Sequence, residues 1–336
     1  MREVAEFVRK SVAAGHSARV GRVVAFKGFG GRRAGEAIVL TEDGSSAGQL
    51  LGGVADDAIA ASAGEGPAEL VEVAVGDTDA VAAGLACGGV ATVLSSEVAA
   101  LPEALWSALA ADMPVALVTR PDWAAAPGAL VLVDDATTGQ LERYGSVGDA
   151  DLDELAETAA RGALRRGSDS TEIVVTEGVR LVVEGYFPTT TLVVVGEGNL
   201  AEALVAQGGM LSWSVAIESE WHDQADARIR ALGRADALVV LSHDHELGTA
   251  ALAAGLASSC YLGALGSRHT QERRREHLAA RGVAAEELDR IHGPVGLDLG
   301  ARTPEETAVS IVAEILAHRS GRRPGALSAT TGPING

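Results

Sequence analysis

Cysteine is nearly absent from this 336-residue chain: Cys87 and Cys260 are its only two. Two isolated thiols exclude a disulfide framework and lack the spacing of a structural zinc site, so any role for either is individual. Aromatic residues are equally scarce at 3%. No run of about 18 apolar residues escapes a charge or glycine break, which argues against a membrane-spanning helix. The opening MREVAEFVRKSVAAG reads as an amphipathic helix and not as a signal peptide, so the expected compartment is the cytoplasm. Positive charge is also short: 27 Lys and Arg face 46 Asp and Glu, giving a formal charge of -19. The basic stretches at residues 273–275 and 319–323 are brief. A surface of this sign repels a phosphate backbone, and no nucleic-acid partner is expected.

What is present suits a folded α/β protein. Hydrophobic residues make up 47% and charged residues 22%, and the length allows two ordinary domains. In the first half, short apolar runs (RVGRVVAF, LVEVAV, ATVLSS, PVALVTR, GALVLV, TEIVVTEGVRLVVEGYF) alternate with glycine-rich turns. Helices are expected near residues 54–62, 103–111 and 151–167, with residues 77–89 as a loop. This half reads as mixed α/β, a glycine-rich sheet with a flanking helix. A boundary falls at Phe187-Pro188-Thr189. Beyond it TLVVV, NLAEALVAQGGML, WSVAIE, DARIRALG, DALVVLS, LGTAALAAGLA and CYLGALG alternate strand with helix. Strict alternation implies a Rossmann-like, doubly wound parallel sheet. A last helix starts at Thr303 as N-cap, with Pro304 in its first turn and Glu306 completing a capping box. The expected domains are residues 1–187 and 188–320, with 321–336 a disordered tail.

Polar residues gather at the ends of the second-half strands. Gly196, Gly198 and Ala201 form GxGxxA, with Asn199 inside the motif, after a buried-type strand, and Glu218 closes the next strand. Glycine permits a tight turn and close approach of a phosphate, the helix N-terminus favours its charge, and the carboxylate can accept ribose hydroxyls. The alternative is a turn kept for packing alone. Ser242, His243, Asp244 and His245 follow another strand, where imidazole and carboxylate can exchange protons or contact a ligand; a metal site is not expected, since no third ligand stands at a regular spacing. A third turn carries Gly263, Gly266, Ser267, Arg268 and Thr270, whose amides, hydroxyls and guanidinium suit an anion; helix capping with a solvated Arg268 is the competing reading. His292, Gly293, Pro294, Asp298 and Arg302 occupy a glycine-rich loop of the kind that lines sites. In the first half Cys87 lies among small residues, as a thiolate or as a small buried hydrophobe. The Gly52-Gly53 pair and the turn with Lys27, Arg32 and Arg33 are secondary candidates for anion contact.

The strings GVADDAI, GLACGG, VVVGEGNLA, LSHDHELG, YLGALGSRHTQERR and IHGPVGLDLGARTPEETAVSIVAEILA together resemble the XdhC/CoxI family, accessory proteins of xanthine dehydrogenase and related molybdenum hydroxylases. The resemblance implies an N-terminal XdhC/CoxI domain before a C-terminal Rossmann domain. It also implies a chaperone more than a turnover enzyme, one that binds molybdenum cofactor (molybdopterin), protects its sulfurated form and delivers it. The implied partners are the apo-subunit of a molybdenum hydroxylase and a cysteine desulfurase, with the chain itself a homodimer. On this view Gly196, Gly198, Asn199, Glu218, Ser242, His243, Asp244, His245, Gly266, Ser267, Arg268, Thr270, His292 and Arg302 are cofactor-binding candidates, and Cys87, His243 and His245 are candidates for chemistry. Two positions depart from the family pattern: Val54 stands where GGCxE carries a cysteine, and Asn199 replaces a frequent histidine. Two other functions stay open. One is an NAD(P)-dependent oxidoreductase built on GxGxxA and Glu218, with His243 or His245 carrying the proton. The other is a cofactor-free interaction protein of a hydroxylase complex.

Overall fold

A computed structural model describes residues 1–29, 35–61, 68–121, 128–135, 140–176 and 178–329. Arg32 and Arg33 of the glycine-rich turn lie outside these residues, as do residues 330–336 of the tail. The chain divides into two compact units, Met1–Phe187 and a second beginning at Pro188.

The first unit opens with α1 (Arg2–Ala13), whose buried Val4, Ala5, Val8 and Ser11 recur at helical spacing. It continues through β1 (Ala18–Gly28), β2 (Ala37–Thr41), β3 (Ser46–Gly48), α2 (Asp56–Ala61), β4 (Ala68–Val75), α3 (Asp77–Ala82) and β5 (Gly89–Glu97). These strands form one antiparallel sheet in the order β3-β2-β1-β5-β4. Next come α4 (Glu103–Ala110), β6 (Val115–Thr119), β7 (Ala129–Asp135), β8 (Gln140–Ser146), α5 (Ala150–Arg165), β9 (Ser170–Thr176) and β10 (Val179–Tyr186). They make a second antiparallel sheet, β8-β7-β6-β10-β9.

Two features of this unit differ from the sequence expectation. The segment at 77–89 is not all loop, because Asp77 and Asp79 in the first turn favour the helix dipole and start α3. Strand β8 has no sequence signature, because QLERYGS lacks apolar alternation; its residues are largely exposed at a sheet edge, where pairing with β7 and not burial defines the strand. The core joins both sheets through Val20, Val39, Leu117, Val131, Leu105 and Trp106. Within it Arg22 and Glu184, both fully buried, form an ion pair. Arg22 also donates to Thr119 Oγ1 at 3.3 Å, and the Tyr186 hydroxyl donates to Glu184 at 2.7 Å.

The second unit comprises β11 (Thr191–Val195), α6 (Asn199–Met210), β12 (Ser214–Glu218), α7 (Asp223–Arg230), β13 (Ala237–Val240), α8 (His245–Leu256), β14 (Tyr261–Ala264), α9 (Arg268–Ala280), α10 (Ala285–Leu288), β15 (Ile291–His292) and α11 (Pro304–Ser320). Its five strands are parallel in the order β12-β11-β13-β14-β15. The unbroken apolar run of β11 is explained by burial on both faces. Val193 and Val195 pack with Leu238, Leu252 and Leu278 on one side, while Leu192 and Val194 meet Leu204, Ile311 and Ile315 on the other. Each such side chain contributes about 1.5–3 kcal/mol when fully buried. The capping box of α11 forms as read: Thr303 Oγ1 accepts from the Glu306 amide at 3.2 Å, and Glu306 accepts from the Thr303 amide at 3.1 Å.

Candidate functional site

In an open parallel sheet, ligands bind beyond the carboxyl ends of the strands where the strand order reverses. Here that point lies between β11 and β13, which flank one another while their successors run to opposite sides. Gly196 ends β11 with φ 123°, and a β-carbon there would lie 2.9 Å from the Ser242 nitrogen. Only glycine lets the two strand ends meet this closely. Gly198, with φ 100°, precedes α6, and a β-carbon on it would meet nothing within 4 Å. It faces open space. No side chain caps the N-terminus of α6, so its first amides point out of the turn beside the exposed Asn199. Such amides, with the helix dipole behind them, favour an anion.

The other two helix starts are closed. Asp244 caps α8 by accepting from the amides of Glu246 at 2.8 Å and Leu247 at 3.2 Å, and Ser242 Oγ accepts from the Asp244 amide at 3.0 Å. Ser267 caps α9, accepting from the Thr270 amide at 3.2 Å and lying 3.0 Å from the Thr270 hydroxyl. Gly266, with φ 131°, has the Thr270 side chain 3.0 Å from a would-be β-carbon, so its turn is filled by protein. Capping therefore occupies Asp244, Ser267 and Thr270. Arg268, His243 and His245 stay exposed around the same rim, with His245 6.2 Å from the His277 ring.

One residue of this region carries little signal in a linear reading. Arg274 lies in a basic run of α9 that looks like a solvated face, yet it is 6% exposed. Its guanidinium donates to the Leu265 carbonyl at 2.6 Å, the Ser242 carbonyl at 3.1 Å and Gln271 Oε1 at 3.4 Å. Helical spacing offers the only clue: Gln271, Arg274 and Leu278 are the buried positions of α9, at i, i+3 and i+7.

Glu218 sits where a ribose-binding acid belongs, at the end of the strand beside β11. It is buried, however, and both its oxygens are engaged, by Arg228 at 3.0 Å and His222 at 3.4 Å. His292 is placed in a separate cluster against α11. Its Nδ1 lies 2.9 Å from Glu314 Oε1, and its ring is 4.6 Å from Tyr261 and 5.1 Å from His318. Burial alone would raise the Glu314 carboxyl, but hydrogen bonds from His292 and the Gly296 amide hold it below the usual range. Burial and the neighbouring His292 lower the His318 pKa. Arg302 is exposed, and its amide donates to Glu306 at 2.6 Å.

In the first unit, the two glycine motifs meet. Leu51, Gly52 and Gly53 all have positive φ, and a β-carbon on Gly52 would lie 2.6 Å from the Ala83 carbonyl, in the turn that leads to the half-buried Cys87. Glu36 and Asp56 accept the Leu51 and Leu50 amides at 2.7 Å each. Cys260 is different in kind: it is buried, and burial pushes its thiol up to about 11, which makes it inert. Among the described residues, no group of three or more His, Cys, Asp or Glu side chains is placed to hold a metal ion, and no helix is long and apolar enough to cross a membrane.

Residues 192–315, which contain the β11–β13 crevice and Arg274, match the family described as the XdhC Rossmann domain. The second unit is a Rossmann-type domain. The chain is also similar to two proteins of Escherichia coli K12. One is YqeB, described as uncharacterized, 28% identical over 47% of this chain and 32% of its own length. The other is PaoD, described as a molybdenum cofactor insertion chaperone, 31% identical over 40% of this chain and 42% of its own. The matched region thus spans less than half of either relative. A solved structure described as a xanthine dehydrogenase from Bacillus halodurans shares the fold, with a TM-score of 0.55 and 17% identity over 98% of each chain.

Proposed function

We propose that the protein is an accessory factor that binds molybdopterin as cargo in the Rossmann crevice and delivers it to a molybdenum hydroxylase. The observation that carries this reading is the uncapped N-terminus of α6 behind Gly196 and Gly198, at the reversal of the sheet. Molybdopterin ends in a phosphate, and open amides with room above Gly198 suit that group. The kinship with PaoD supplies the class of cargo. Within this proposal Asn199, His243, His245 and Arg268 contact the cargo from the rim, the first unit is the XdhC/CoxI domain, and the protein works as a homodimer. Protection of the sulfurated form and receipt of sulfur from a cysteine desulfurase fall to Cys87, the motif thiol that remains where Val54 replaces the other.

A nicotinamide dinucleotide is the less favoured ligand, because Glu218 is tied to Arg228 and His222 instead of being presented to a ribose. Purified protein from a host that makes molybdopterin should carry the pterin, measured by fluorescence after oxidation, and should raise the activity of an apo-hydroxylase. Absence of both sinks the proposal. Calorimetry should show no binding of NAD or NADP.

A further inference from the structure

The two edges of the second unit's sheet are unlike. β15, at one edge, is two residues long, too short to template another strand. β12, at the other, runs five residues in unbroken register with β11 and has no lysine, proline or bulge to discourage pairing. Its one charge, Glu218, is buried and bonded to Arg228 and His222. Exposed apolar side chains lie beside this edge: Ile217 on the strand, Val205 and Met210 on α6, which packs against β12, and Leu211 just after α6.

The backbone fixes what this edge offers. The Ser214 amide donates to the Thr190 carbonyl at 2.9 Å, and the Glu218 carbonyl accepts from the Gly196 amide at 2.8 Å. Alternate residues of a parallel pair turn both backbone groups to the same neighbour. Ser214, Ala216 and Glu218 therefore serve β11, while Val215 and Ile217 present an amide and a carbonyl each to the outer edge. A second copy of the strand matches that pattern. Related by a two-fold axis beside Ala216, it lies antiparallel, with Val215 opposite Ile217 of the partner subunit and Ile217 opposite the partner subunit's Val215. These are the outward-facing residues, so each pair can exchange both backbone bonds and set two β-branched side chains on one face. A slip of one residue would set outward groups against groups already spent on β11. Glu218 falls opposite the small Ser214, and no like charges oppose one another within the strand. We propose that the protein dimerises through β12, joining the Rossmann sheets of two subunits into one continuous sheet by a self-complementary seam. This rests on the homodimer reading above and gives it a surface.

Sedimentation velocity of the full chain over a range of concentrations tests the seam, with hydrogen exchange of Ser214–Glu218 followed on the same samples. Wild type should sediment as a dimer, and exchange in this segment should slow as the concentration rises. Ile217→Lys sets a charge on the seam, and Ile217→Pro removes an outward amide that β11 does not use. Each should raise the dissociation constant by about tenfold or more and leave the far-UV circular dichroism unchanged. Val175→Lys, on the exposed edge strand β9 of the first unit, should leave the dimer intact. A monomeric wild type overturns the seam together with the homodimer reading. A dimer that both Ile217 variants leave intact, or that Val175→Lys dissociates, overturns the seam alone. Should Ile217→Pro fail to fold, Ile217→Lys decides: a weakened dimer supports the seam and wild-type affinity refutes it. Exchange that ignores concentration in a dimeric wild type also refutes it. Molybdopterin content of the same samples is read separately, and its absence from a dimer that Ile217→Lys dissociates removes only the cargo.

Discussion

Gly196 and Ser242 touch through their backbones, with only 2.9 Å between the Ser242 nitrogen and the position a Gly196 β-carbon would take. The contact closes β11 against the end of β13 and shapes the crevice floor. Gly196→Ala meets both that clash and a φ of 123°, and should destabilise the second unit by at least about 1–3 kcal/mol. Urea unfolding checks this.

Gly198→Ala separates folding from binding. With open space around its β-carbon and a backbone at φ 100°, ψ −175° that side chains rarely adopt, its cost is the backbone strain alone, about 1–3 kcal/mol. The added methyl nevertheless stands where a phosphate would approach the α6 amides. The variant should fold and lose pterin; pterin content equal to wild type would place the cargo elsewhere.

The ion pair of Arg22 and Glu184 spans the two sheets of the first unit with both side chains fully buried. Glu184→Gln leaves the Arg22 charge uncompensated and should cost about 3–5 kcal/mol. Tyr186→Phe removes one hydrogen bond to a charged group and should cost about 1.5–3 kcal/mol. Denaturant titration of each variant should rank them in that order.

Acid should weaken the second unit in two stages. The lowered His318 pKa means that the unfolded chain takes up a proton first, so stability falls as pH drops below the ordinary histidine value of 6.5. The Glu314 carboxyl, also lowered, contributes stability above its ordinary value of 4.5 that is lost as pH falls through the folded value. His318→Gln should flatten the first stage and leave the second, as read from Tm against pH.

The fold of the second unit was legible because its strands and helices alternate in single buried runs, and Thr303, Pro304 and Glu306 mark a helix start with specific chemistry. The positions of Gly196, Ser242 and Ser267 at strand ends followed from the same alternation. What each one does was not legible. Asp244 and Ser267 can cap or bind with the same atoms, and only three-dimensional placement shows that capping occupies them while α6 stays open. Glu218 keeps the spacing of a ribose acid, but its partner Arg228 comes from the following helix through packing. Arg274 hides among charged neighbours, since one buried turn in an otherwise solvated helix leaves a faint trace in sequence. The pairing of two antiparallel sheets in the first unit was missed for a related reason: β8 is polar and defined by its partner strand.

Native mass spectrometry of the freshly purified full chain, from a host making molybdopterin, addresses the central claim most directly because it weighs the bound ligand and counts the subunits together. The expected spectrum shows a dimer carrying a molybdopterin mass that is lost in Gly198→Ala. A spectrum of ligand-free protein, or one carrying NAD or NADP, contradicts the account.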